Sequence, residues 1–150
     1  MRHAGRAALR ATLVLAIAGC ADSAAVSPNI APADLSGTWD LSVSVATGDG
    51  GRSCTTDGTA TIAQSGAQLE GATSSTITCE LPQGAVNMTG LGSIEGGVNA
   101  SSVSFSDAEC EYQGEVESAQ VMRGDVTCSI FVGGATHTYA GRWEAHRTTT

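Results

Sequence analysis

The sequence predicts an all-β domain, most specifically an eight-stranded antiparallel up-and-down β-barrel. Apolar and polar residues alternate along most of the chain after residue 35, and no stretch has the 3.6-residue period of an amphipathic helix. Thr, Ser, Val and Gly are abundant, and short connections rich in Gly, Ser and Asn separate the alternating runs. Such connections predict sequential hairpins, and therefore a meander. A β-sandwich is the alternative architecture.

The first four strands follow from alternation and turn residues. The first places Trp39, Leu41 and Val43 on one face, and the second carries Ile62 on that face. A turn at Gly66 leads into the third strand, and a fourth strand follows it. The predicted ranges are 38–47, 54–64, one that starts near 68, and 86–95.

The last four strands show the same alternation. In the sixth, acidic residues occupy the outer face and Tyr112 faces inward. A turn about Ala119 joins it to the seventh strand, and the eighth brings Trp143 to the inner face. The predicted ranges are 101–106, 109–117, 121–130 and 136–147.

The cysteines of the domain fit this register. The chain has five cysteines, and the four beyond Cys20 become two directly opposed pairs when hairpin turns are placed at Gly66 and Ala119. Opposed side chains in antiparallel strands are close enough for a disulfide bond. Metal binding is the competing interpretation, but the close C-x2-C spacing of zinc sites does not occur. The predicted disulfides are Cys54–Cys79 and Cys110–Cys128.

Glycines on the inner face favour a barrel over a sandwich. Gly71, Gly114, Gly124 and Gly141 all fall on the inward phase of their strands. A glycine inside a strand permits a sharp bend, and bends on successive strands are what closing a sheet requires. Closure would also remove exposed sheet edges.

The N-terminal residues resemble the signal of a bacterial lipoprotein. Three arginines precede a short apolar run that ends in Ala18-Gly19-Cys20, and this run is too short to span a bilayer. The small residues before the cysteine are similar to a lipobox, which implies that Cys20 is lipidated and becomes the first residue of the mature chain. An ordinary secretory signal is the alternative.

The sequence predicts four segments along the chain. They are a lipoprotein signal at 1–19, the lipidated Cys20 with a flexible tether over 20–34, the barrel domain at 35–147, and a short tail at 148–150. The lipid implies a membrane anchor in a bacterial cell envelope. By resemblance to lipoprotein sorting, Ala21 after the cysteine favours the outer membrane where the organism has one.

The charge of the chain argues against nucleic acid as a partner. After the signal only four arginines remain against fifteen acidic residues, and the chain has no lysine. Such a surface repels polyanions.

A second resemblance concerns the barrel itself. Gly37-Thr38-Trp39 at the start of the first strand is similar to the G-x-W opening of lipocalins and avidins. In lipocalins an arginine of the last strand packs over this tryptophan, which makes Arg142 and Arg147 the candidates. The alternation that turns Trp143 inward also turns Arg147 inward, so Trp39 and Arg147 are the expected barrel-closing pair. The lipocalin resemblance implies a small apolar ligand inside the barrel.

The sequence offers little chemistry beyond binding. His137, Tyr139 and Trp143 face inward on the last strand and are the predicted ligand-lining residues. Small or polar inward residues such as Ala60, Thr73 and Ser75 leave some room for a ligand. No catalytic pair, metal site or cofactor motif is found, so an enzyme is not expected. A surface or periplasmic protein-interaction module, or an inhibitor of a host hydrolase, is the alternative function.

Overall fold

A computed structural model describes residues 32–149 of the chain. The predicted signal, Cys20 and the tether up to residue 31 lie outside the described residues, as does Thr150. Alternating side chains with short turns produce eight strands in sequence. They are β1 (Gly37–Ala46), β2 (Ser53–Ser65), β3 (Gln68–Leu81), β4 (Gly84–Asn99), β5 (Ser102–Ser106), β6 (Cys110–Ser118), β7 (Val121–Val132) and β8 (Ala135–Arg147).

The strands form a closed antiparallel barrel. Each strand pairs with the next along the chain, and β8 pairs with β1 from Trp39 to Ala46. The prediction of an up-and-down barrel is therefore confirmed, and the β-sandwich alternative is wrong. Residues 32–149 contain no helix that could cross a membrane.

The barrel interior is filled largely by apolar side chains. Along β1 the burial alternates strictly, so that Trp39, Leu41, Val43 and Val45 face the core. Phe105 and Tyr112 stack with ring centroids 4.5 Å apart. Trp143 meets Phe105 edge-on at 5.2 Å. These rings make the β5–β8 side of the core the bulky side.

Both predicted disulfides are confirmed. Cys54 lies opposite Cys79 in the β2–β3 ladder and Cys110 lies opposite Cys128 in the β6–β7 ladder, each pair with Cα atoms 4.0 Å apart. The first bridge is fully buried. The register of these two hairpins is the one that the cysteine spacing predicts.

Inward glycines allow strands to touch at sharp bends. A Cβ built on Gly141 would lie 1.9 Å from the Ser44 carbonyl oxygen, and one on Gly71 would lie 2.0 Å from the Thr61 carbonyl oxygen. No side chain fits at such distances. The absence of a Cβ is thus a steric requirement for the close approach of β3 to β2 at Gly71 and of β8 to β1 at Gly141.

The strand lengths differ from the prediction in β4 and β5. β4 runs from Gly84 to Asn99 instead of 86–95, and it pairs with β3 over nearly its whole length. β5 has five residues and pairs with β4 only from Glu95 to Asn99. Next to the first part of β4 the barrel wall therefore has a gap, which the sequence did not predict.

Candidate functional site

A cavity opens in this gap between β4 and the β5–β6 loop. Its volume is about 160 Å³, close to that of a buried cavity that accommodates one benzene ring, about 150 Å³. It is smaller than the roughly 300 to 1,000 Å³ of sites for drug-sized ligands. The lining residues are Thr56, Thr73, Ser75, Ile77, residues 89–92 of β4, residues 107–110 of the β5–β6 loop, and Tyr112.

Hydroxyl groups dominate the inner wall of the cavity. Thr56 on β2 and Ser75 on β3 are half-buried, and their hydroxyls have no protein partner within residues 32–149. Thr73 is a buried polar residue, and its hydroxyl lies 3.4 Å from the Gly92 carbonyl oxygen. Half-buried hydroxyls without partners are available to bind a ligand.

Glycines on β4 make this wall compact. A Cβ on Gly90 would lie 2.8 Å from the Ser75 Oγ, and one on Gly92 would lie 2.9 Å from the Thr73 Oγ1. Larger residues at these two positions would displace the hydroxyls and fill the space beside them. The small residues of β3 and β4 therefore create the space of the cavity, which Tyr112 borders from the aromatic side of the core.

Asp107 organises the loop that forms the outer rim. Its Oδ1 accepts hydrogen bonds from the backbone N–H groups of Glu109 at 3.0 Å and Cys110 at 2.8 Å. Its Oδ2 accepts one from the Tyr112 hydroxyl at 3.2 Å. A side chain that binds nearby backbone N–H groups competes with strand pairing, which explains why β5 ends at Ser106.

Tyr112 joins this rim to the aromatic core. Burial, and next the negative charge of Asp107, raise the pKa of Tyr112 far above its ordinary value. The phenol therefore keeps its proton and acts as a hydrogen-bond donor at the cavity. The Cys110–Cys128 disulfide attaches the end of the same loop to β7.

The residues predicted to line a ligand site lie elsewhere. Tyr139 and Trp143 face inward, but both are packed in the core with exposures of 0% and 2%, and the cavity is lined by other residues. The Tyr139 hydroxyl is buried without a hydrogen-bond partner among the described residues. His137 is half-buried near the start of β8. Of the residues expected to leave room, Thr73 and Ser75 line the cavity, whereas Ala60 is buried in the core and does not.

Trp39 and Arg147 meet at the end of the barrel where β1 begins and β8 ends. The Arg147 guanidinium lies 4.6 Å from the centroid of the Trp39 ring. Its Nη1 donates to the Ser36 carbonyl at 2.8 Å and its Nη2 to the Asp34 carbonyl at 2.6 Å. The other candidate, Arg142, lies outside and pairs with Asp125. This cluster closes one end of the barrel, which we call the base. None of its residues lines the cavity.

The described residues offer no metal centre. Within 32–149, no three His, Cys, Asp or Glu side chains lie together in a group that could hold a metal ion. Strand β6 carries a row of glutamates, and one of them, Glu117, pairs with Arg123. Hydrogen bonding and ion pairing with that carboxylate raise the pKa of Arg123, which keeps it charged.

Comparisons with known proteins identify the fold alone. Neither a scan against protein-family models nor a search of curated proteins finds a match. Among solved structures, the chain is similar to the protein EF1p2_mFAP2b in its complex with DFHBI, with a TM-score of 0.53 and 14% sequence identity. The similarity covers 76% of this chain and 94% of that one. The described residues therefore share their β-barrel fold with that protein.

Proposed function

We propose that this chain is a lipid-anchored binding protein of the bacterial cell envelope and is not an enzyme. The bound molecule would be small and would lie in the cavity between β4 and the β5–β6 loop. The observation that carries this proposal is a cavity that is lined by several hydroxyls and lies beside the packed core. Cavities with a few convergent polar groups are the usual places for ligands.

The size and lining of the cavity narrow the ligand class. A volume of about 160 Å³ suits a single six-membered ring. The hydroxyls of Thr56 and Ser75 favour a ring that carries hydrogen-bonding groups, whereas Ile77 offers a small apolar contact. This differs from the purely apolar ligand that the lipocalin resemblance implies, because the aromatic residues fill the apolar side of the barrel.

The absence of an enzymatic role is part of the proposal. Both Asp107 oxygens already accept hydrogen bonds from the protein, so this carboxylate is committed to holding the loop. The described histidines, His137 and His146, do not line the cavity. A general base must lie within hydrogen-bond reach of its substrate, and the histidines do not satisfy that condition here.

A ligand titration tests the binding site. The exported chain carrying Cys20→Ser is titrated with resorcinol and with benzene, and amide chemical shifts are followed by NMR. We expect resorcinol to shift amides of residues 73–77 and 89–92, with benzene weaker. Thr56→Val removes one hydroxyl and should weaken resorcinol binding by about fivefold, the equivalent of one hydrogen bond.

Thr55→Val is the matched control for this experiment. Thr55 is the neighbour of Thr56 on β2 but faces outward, so its substitution should leave resorcinol affinity unchanged. Equal loss of affinity in both variants would reject the cavity as the binding site. A benzene affinity equal to the resorcinol affinity would reject the polar ligand class.

The anchor is tested separately by cell fractionation. When the full chain is produced in a bacterium that processes lipoproteins, we expect the wild type in the membrane fraction and Cys20→Ser in the soluble fraction. Acyl chains contribute about 0.8 kcal/mol per buried CH2, so their loss should abolish membrane retention. A Cys20→Ser chain that stays in the membrane fraction would contradict lipid anchoring.

A further inference from the structure

Two carboxylates lie at the cavity, and no cationic side chain accompanies them. Asp107 and Glu109 are among the lining residues, whereas no arginine or histidine of residues 32–149 lines the cavity, and the chain has no lysine. The ion pairs within that range join other residues. The negative charge at the cavity is therefore not balanced by the described part of the protein.

The charge of Asp107 persists although its oxygens accept hydrogen bonds. The three donors are the backbone N–H groups of Glu109 and Cys110 and the hydroxyl of Tyr112, and all three are neutral. Neutral donors stabilise a carboxylate but do not cancel its charge. Asp107 is also half-buried, so salt and water screen its field less than that of a fully exposed group.

The field of both carboxylates acts on a buried side chain of the cavity wall. Tyr112 lines the cavity and is buried. Burial raises the pKa of its phenol, the charge and hydrogen bond of Asp107 raise the pKa further, and so does the negative charge of Glu109. A cleft that carries charge of one sign raises the local concentration of ions of the opposite sign.

We infer that the ligand of this cavity is a small ring carrying a positively charged amine, and that Glu109 selects for that charge. This conclusion rests on the proposed function, because it specifies what the cavity binds. An ammonium group donates several N–H bonds, and carboxylate and hydroxyl oxygens accept them. Asp107 is committed to holding the loop, so the exposed Glu109 is the carboxylate that can approach the amine. An anionic ring is repelled.

Two ligands that differ in one heavy atom test the charge. Benzylamine is positively charged at neutral pH, and benzyl alcohol carries the same ring without a charge. Both are titrated into the exported chain carrying Cys20→Ser, and amide chemical shifts are followed by NMR. We expect shifts at residues 89–92 and 107–112, with benzylamine bound about fivefold more tightly, the effect of one partly exposed charge pair. Added salt should reduce this preference.

Glu109→Gln and Glu111→Gln are the matched variants. Each removes one carboxylate from the same acidic segment, but Glu111 does not line the cavity. Glu109→Gln should lower the preference for benzylamine to about twofold or less. Glu111→Gln should retain the preference of the parent chain. A fall of the same size in both variants would show a general attraction of cations to the acidic surface, and it would overturn the inference.

The binding function and the charge selection can fail separately. Equal affinities for benzylamine and benzyl alcohol at the cavity would keep the cavity as the ligand site and overturn the charge selection alone. Benzylamine shifts confined to the outer face of β6 would overturn it as well. If these two ligands and resorcinol all leave the amides of the cavity unshifted, the binding function fails and the charge selection fails with it.

Discussion

Removing the Cys54–Cys79 disulfide is expected to lower the free energy of unfolding by about 3 kcal/mol. The bridge joins residues that are 25 positions apart, and in the chain-entropy account it restricts the unfolded chain. Because both sulfurs are buried, the change to Cys54→Ala and Cys79→Ala also leaves space in the core. Domains of this size are stable by only about 5 to 15 kcal/mol, so the loss would be severe.

Denaturant unfolding of three samples measures this effect. The oxidised wild type, the same protein after reduction, and the double-alanine variant are compared in urea. Reduction opens Cys110–Cys128 as well, so the reduced wild type should be the least stable of the three. A double-alanine variant as stable as the oxidised wild type would show that the buried bridge contributes nothing to stability.

The second large effect is expected from Gly141→Ala, at about 3 kcal/mol or more of destabilisation. The new Cβ would lie 1.9 Å from the Ser44 carbonyl oxygen and 2.8 Å from the Val45 Cα. These are backbone atoms of β1, so no change of rotamer relieves the overlap. The ladder between β1 and β8, which closes the barrel, would have to separate locally.

Gly48→Ala is the control for this substitution. Gly48 lies in the turn between β1 and β2, and a Cβ there has no heavy atom within 4 Å. We expect a change in unfolding free energy within about 0.5 kcal/mol. Thermal melts of both variants measure the difference, and equal melting temperatures would mean that the close approach of β8 to β1 is not a steric requirement.

The hairpin registers were predictable because they depend on local numbering. A tight turn fixes which residues oppose each other, and the cysteines fall on opposed positions in both disulfide-bonded hairpins. The inward phase of Tyr139 and Trp143 was predictable for the same reason, since side chains alternate along a strand. The alternation of side chains along a strand is therefore sufficient to predict whether each residue faces inward or outward.

The cavity was not predictable in the same way. Whether an inward residue packs or lines a space depends on what lies across the barrel, and that is a long-range property. Trp143 meets Phe105 and Tyr112, so it fills the core, whereas Ser75 lies opposite a glycine of β4. The Asp107 turn that ends β5 had a local signal, because Asp readily binds the backbone N–H groups that follow it.

The position of β1 determines how the domain resists tension. The chain enters the barrel at the buried Leu35, and β1 then runs between two ladders, bonded to β2 over Gly37–Ala46 and to β8 over Trp39–Ala46. Antiparallel hydrogen bonds lie across the strand direction. A pull on the N-terminal segment therefore acts in shear on both ladders at once. Mechanical rupture from that end requires them to break together, which makes the base of the barrel a strong point of attachment.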